Sequence, residues 1–175
     1  MKALRWSGGA LLWVVAVLGA LSGALFLGHL AGWVQPLVVV SGSMQPAIQR
    51  GDLLIAVPVA VTDVDVGEVS TLPSEGSGTL ITHRVTAVTR DGADYLIEMA
   101  GDANQARDPN PYRVEGAGTV LQPMLTIPAV GHIVLILARP AVAIPLAVAV
   151  LALIGLSLVP GSPRERHPVT VEESA

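Results

Sequence analysis

Cysteine is absent from the 175 residues, which removes a thiol nucleophile, a thiolate metal site and a disulfide framework. Lysine is nearly absent as well, Lys2 being the single one. Aromatic residues make up 3% and charged residues 14%, against 51% hydrophobic residues and a mean hydropathy of +0.61, which is not the balance of an ordinary soluble protein. Charge is missing altogether from Ser7 to Gln49, and again over the stretch from Pro140 to Val159. A helix needs about twenty apolar residues to cross a ~30 Å hydrocarbon core, so both stretches read as membrane spans. The middle is acidic: five arginines face eleven acids between Gln35 and His132, which argues against a nucleic-acid partner.

What is present falls into four segments. Residues 1–34 are a short basic leader and a first transmembrane helix, with Trp13 and Trp33 near the ends of the apolar run as interfacial anchors. A cleaved signal peptide shares this layout, but the run exceeds the ~7–15 residues of a signal-peptide core. Lys2 and Arg5 put the N-terminus in the cytoplasm by the positive-inside rule, and the next segment outside it. Residues 35–135 read as a compact, mainly β domain. Val38–Val40, Leu53–Val59, Thr79–Val88, Tyr95–Ala100 and Thr119–Leu121 are β-branched or apolar runs divided by Gly, Pro and Asp turns. Pro73–Gly78 reads as a hairpin tip. Residues 136–160 form the second span, starting at Pro140 with Arg139 at the interface, and 161–175 a polar tail whose Arg164 and Arg166 suit a return to the cytoplasm. The expected architecture is a β domain outside the membrane flanked by N- and C-terminal transmembrane helices.

The chemistry centres on Val38 to Ile55, where a β-branched run enters the turn Ser41-Gly42-Ser43 and a second apolar run leaves through Arg50-Gly51-Asp52. Strand, tight turn and strand set the Ser43 hydroxyl at the rim of a sheet, and Gly42, lacking a Cβ, would let another backbone come close. Serine is weak at neutral pH and needs a base within hydrogen-bond reach. Lys2 lies before the first span, so no lysine can serve in the outer domain. Of the four histidines, His29 falls in or beside the first span, His132 beside the second and His167 in the tail, leaving His83. The alternation Ile81-Thr82-His83-Arg84-Val85 is a strand with Ile81 and His83 on one face and Thr82 and Arg84 on the other. A lone strand histidine is otherwise a satisfied structural residue. Downstream, Gly101 to Asp108 carries Asp102 and Asp108, either of which could orient His83 and stabilise the imidazolium formed during attack. Asp-rich loops are by themselves usually solvated turns. Asp52 is expected to pair with Arg84 inside the domain.

In order, SGSMQP, RGD, THRV and GD…RDP resemble, over roughly residues 36–135, the type I signal peptidases of the endoplasmic reticulum, archaea and some Gram-positive bacteria, whose base is a histidine. Any one motif is weak; the four in order are specific. The resemblance implies Ser43 as nucleophile, His83 as general base, and Asp102 or Asp108 as orienting acid, with Asp108 the preferred of the two and the other holding the loop. It also implies an oxyanion hole from the Ser43 N–H and the Ser41 hydroxyl. Ala47 stands where the family usually has Thr, and Ala103 where Asn is common; neither removes a group from the attack.

Substrate selection follows from that resemblance and from the residue types together. A signal-peptide end would lie as a strand beside Leu37, Val38, Val39 and Val40, with Met44, Pro46 and Ile81 completing shallow pockets for alanine-sized side chains before the cut. No His/Asp/Glu cluster has ligand spacing, so no metal or other cofactor is implied. The implied partners are signal-peptide-bearing preproteins and the lipid bilayer, with accessory membrane subunits left open. The implied location is the plasma membrane, multi-pass, with the active site on the extracytoplasmic face. Two other readings stand beside this one: a membrane-anchored β domain for adhesion or complex assembly without catalysis, and a serine peptidase of the same plan dedicated to another precursor. A non-enzyme has no reason to bring Ser43 and His83 within hydrogen-bond distance.

Overall fold

Apolar alternation and Gly turns over 35–127 resolve into seven strands in the computed structural model, which describes residues 2–74 and 78–157. After helix α1 (Lys2–Leu30) come β1 (Gln35–Val38), β2 (Leu53–Ala60), β3 (Val69–Pro73), β4 (Leu80–Asp91), β5 (Asp94–Ala100), β6 (Tyr112–Val114) and β7 (Thr119–Ile127). Helices α2 (Val130–Leu137) and α3 (Pro140–Ser157) follow. All strands join one mainly antiparallel sheet in the order β1-β2-β7-β3-β4-β5-β6, so β1 and β6 are its edges. Contacts divide the chain after Leu135 into two units.

Proline placement explains part of this order. β1 covers β2 only from Leu53 to Ala56, so Pro58, which has no N–H, lies beyond the reach of β1 and is exposed. Pro123 sits at the irregularity where β2 and β7 shift register between Ile55 and Ala56. The β4–β5 hairpin closes over Gly92-Ala93, with Gly92 at φ 66°, the positive value that its tight turn favours.

Two apolar clusters hold the sheet. The larger gathers Val61, Val64, Leu72, Val85, Ile97, Met99, Tyr112, Val114 and Val120. The smaller gathers Met44, Ile48 and Leu54, with Leu37, Val39 and Val69 packed against it. Each such side chain, fully buried, contributes about 1.5–3 kcal/mol relative to exposure. The smaller cluster lies directly under the Ser43 turn.

β3 and β6 go beyond the strands legible in the sequence, and β7 extends six residues past Leu121. The flanking segments are helical. Among the described residues no single helix is long and apolar enough to cross a membrane: Ala16–Leu30 is a shorter apolar stretch, and Val130–Leu137 with Pro140–Ala152 passes only as an interrupted pair. Pro140 opens α3, where its missing N–H leaves no helical bond unmade. The middle of the expected 73–78 hairpin tip, the end of the expected second span and the 161–175 tail lie outside the described residues.

Candidate active site

Residues 41–51 form a closed loop above the smaller cluster. The Val39 N–H donates to the Asp52 carbonyl at 2.9 Å and the Gly51 N–H to the Val39 carbonyl at 2.8 Å, drawing the two ends of the loop together. Within it the Ile48 N–H donates to the Met44 carbonyl at 3.0 Å, a helical turn that points Met44 and Ile48 inward and leaves Pro46 exposed. The buried Asp52 carboxylate accepts from the Gln49 N–H (2.8 Å) and the Ala129 N–H (3.1 Å). The pairing of Asp52 with Arg84 expected from the sequence does not form, because Arg84 is taken by Asp102; Asp52 instead ties the loop to the start of α2. Its position one residue after a Gly51 at φ 92° turns the carboxylate back into the loop.

Ser43 Oγ lies 3.0 Å from His83 Nε2, and both carboxylate oxygens of Asp108 lie 2.8 Å from His83 Nδ1. A carboxylate can only accept, so the imidazole carries its proton on Nδ1 and leaves Nε2 as the acceptor facing Ser43. His83 is 8% exposed and the Asp108 side chain 9%, enough cover to strengthen these charge-assisted contacts. Ser41 Oγ is 3.2 Å from Ser43 Oγ.

The two aspartates of the 101–108 loop part company. Asp102 accepts from Arg84 Nε at 2.8 Å and Nη2 at 2.7 Å, while Arg84 Nη1 donates to the Gly67 carbonyl at 2.7 Å. The Arg84 hydrogen bonds hold the Asp102 carboxyl below the usual aspartate range despite partial desolvation. The structure thus places Asp102 on the far face of β4 from His83, and only Asp108 beside the imidazole. Asp102 anchors a turn that matters to Ser43 all the same: the Ala103 N–H donates to the Ser43 carbonyl at 2.8 Å. The close backbone approach expected at Gly42 occurs here, at Gly101. A Cβ on Gly101 would stand 2.6 Å from the Ser43 carbonyl oxygen, whereas one on Gly42 would meet only the Gln45 side chain at 3.4 Å.

A cavity of about 320 Å³ opens beside Ser43, walled by Leu37, Val38, Val39, Val40, Met44 and Ile81 among others. Pro46 is not among its walls, because the helical turn faces it outward. Ile48, Leu54, Leu80 and Thr82 are, and nothing in the sequence marked them for this role. The cavity lies between two strand edges. β1 is a sheet edge, and β4 pairs with β5 only from Arg84 onward, so Leu80–His83 is laddered on the β3 side alone.

No family model matches the sequence. Over 86 residues, 48% of this chain, it is 38% identical to the human and mouse proteins named signal peptidase complex catalytic subunit SEC11C, covering 45% of their length. Over 108 residues, 58% of this chain, it is 32% identical to the signal peptidase complex catalytic subunit SEC11 of Colletotrichum graminicola, covering 63% of that protein. The chain has signal peptidase catalytic subunits as homologues. It spans about half the length of the SEC11C relatives it matches.

Tyr112 is a further site residue that the sequence reading did not single out. Its hydroxyl donates to Asp108 Oδ2 at 2.9 Å, a second donor on the carboxylate that holds His83. Burial first, and then the Asp108 hydrogen bond and charge, push the Tyr112 hydroxyl well above the ordinary tyrosine range, so it stays a donor. Its spacing of four from Asp108 across Pro109-Asn110-Pro111 was the available signal, since two prolines constrain a short turn that can fold the ring back.

Proposed function

We propose that the chain is a membrane-bound serine endopeptidase that removes N-terminal signal peptides from exported preproteins. One observation carries this reading: the run Ser43 Oγ – His83 Nε2 – Nδ1 – Asp108, with contacts of 3.0 and 2.8 Å. The similarity to signal peptidase catalytic subunits supplies the substrate class.

In this reading Ser43 Oγ attacks the scissile carbonyl carbon and His83 Nε2 takes its proton. The carbonyl electron pair moves onto oxygen, which the Ser43 N–H and the Ser41 hydroxyl stabilise. Collapse expels the amine of the mature chain, which takes the proton from His83, and leaves the signal peptide as an ester on Ser43. Water, deprotonated by His83, attacks that ester, and His83 returns the proton to the departing Ser43 Oγ. Asp108 and Tyr112 keep the imidazole in the productive tautomer throughout. Asp102, through Arg84 and the Ala103 N–H, positions Ser43 without touching the reacting atoms.

The substrate lies extended between β1 and the Leu80–His83 edge, its backbone adding to unpaired strands and its small side chains entering the apolar cavity. α1 and the α2–α3 pair anchor the domain at the membrane outside the cytoplasm, where the precursor's own apolar segment resides. The relatives are named as subunits of a complex, and partner subunits are part of this proposal.

The test is cleavage of a precursor ending in Ala-X-Ala by the wild type and by Ser43→Ala in liposomes. Cutting after the second alanine by the wild type alone supports the reading. Equal cutting by Ser43→Ala overturns it.

A further inference from the structure

A second cavity, of about 220 Å³, lies against His83 on its Asp108 side. Ile81 and His83 form a wall common to both cavities; beyond it stand Ser74, Asp108, Pro109 and Asn110. The walls differ in chemistry. The Ser43 cavity is lined mostly by aliphatic side chains, whereas the second offers a hydroxyl, an amide and a carboxylate.

We infer that this second cavity receives the first residues of the mature chain, on the far side of the cut, and selects against acidic ones. The inference rests on the peptidase reading above. The acyl half of a cleaved peptide stays on Ser43, and Ser43 lines only the aliphatic cavity. The amine half must take its proton from His83, so the chain beyond the cut has to run along the imidazole. Crossing the Ile81–His83 wall brings it into the second cavity.

The preference follows from the charges. Asp108 brings a carboxylate, held by two donors, the His83 Nδ1–H and the Tyr112 hydroxyl. Among the described residues, no lysine or arginine lines the cavity to balance it. An Asp or Glu side chain entering here meets a like charge at short range in a partly dry site. Serine, asparagine or glutamine meets Asn110 and Ser74 as hydrogen-bond partners instead. The new α-amine, protonated below about pH 8, is drawn to Asp108 as it leaves.

The experiment uses the full chain in liposomes and a set of precursors identical up to the cut, with Ser, Gln, Lys, Asp or Glu at the first two positions after it. For the wild type, kcat/KM should be about tenfold lower with the acidic residues than with serine. Asn110 is exposed, so Asn110→Lys is compatible with folding, and it should shrink that gap to about twofold or less by supplying the missing positive charge. Ser74→Lys, from the opposite wall, should act in the same direction. Preference for residues before the cut should stay as in the wild type. A flat wild-type profile, an unchanged gap in both variants, or a shift confined to residues before the cut would overturn this inference alone. Absence of cleavage of every precursor by the wild type overturns it together with the peptidase reading.

Discussion

At the level of single residues, Asp108 bears the most weight, because it accepts from both His83 and Tyr112. Asp108→Asn keeps the shape but replaces one acceptor oxygen by a donor, which favours the wrong imidazole tautomer. Its kcat should fall about 10⁴-fold with the protein still folded, as single-turnover kinetics beside a circular dichroism spectrum would record. Tyr112→Phe removes one of the two donors and should lower kcat by about tenfold, an effect of one lost hydrogen bond. Because Tyr112 holds its proton above the usual range near pH 10, no alkaline loss of cleavage should trace to it. His83→Lys should not restore function, since the lysine chain cannot occupy both the Asp108 and Ser43 contacts of a planar ring.

The decisive element is the loop from Gly101 to Asp108, which serves Ser43 with one end and His83 with the other. Asp102 is held below its ordinary range by Arg84, so the pair adds stability that is present above the unfolded aspartate value near 3.9 and is lost as pH falls through the lower folded value. Arg84 is well exposed, and solvent screening limits the contribution to about 1 kcal/mol or less. Asp102→Asn should therefore flatten the acid limb of a stability–pH curve while lowering kcat through a looser Ser43. Gly101→Ala forces a Cβ against the Ser43 carbonyl and should lower activity strongly, at an overpacking cost of about 1–3 kcal/mol in urea unfolding. With Ser43 given by the motif resemblance, elimination on the sequence alone leaves His83 as its base, because lysine and the other histidines lie elsewhere. Separating Asp102 from Asp108 is harder. Both sit in one polar loop, and what divides them is a pair of backbone bonds, Asp108 to Met99 on the neighbouring strand and Ala103 to Ser43, whose partner lies far off in sequence. β3 was hidden for a similar reason: Ser70 and Thr71 look like surface residues, yet they are buried between β7 and β4. Strand β6, three residues long, gives no periodicity to read.

For the whole molecule, the central question is whether the apolar helices hold the acidic sheet at a membrane. If the helices anchor it there, a precursor that retains its apolar segment should be cut in liposomes with a KM well below that of the same cleavage sequence as a short soluble peptide. Confinement of both partners raises their effective concentration, and detergent dilution should erode the advantage. Leu54, fully buried where the smaller cluster supports the Ser43 loop, links that activity to global stability. Leu54→Ala should remove about 2–5 kcal/mol, read by thermal unfolding, and depress cleavage at temperatures well below the transition.

The two unpaired strand edges beside Ser43 carry a further consequence. Bare edges are templates for aggregation, and proteins ordinarily blunt them with charges, bulges or coverings. Here β1 is followed by Val40, 67% exposed, and no charged residue interrupts Leu37–Val40. In the peptidase reading the groove stays open for passing peptides, and it is then open to any extended segment, including one from a neighbouring copy. In concentrated preparations a slowly cleaved peptide should act as a plug as well as an inhibitor, lowering light scattering at the same stoichiometry at which it blocks the reaction.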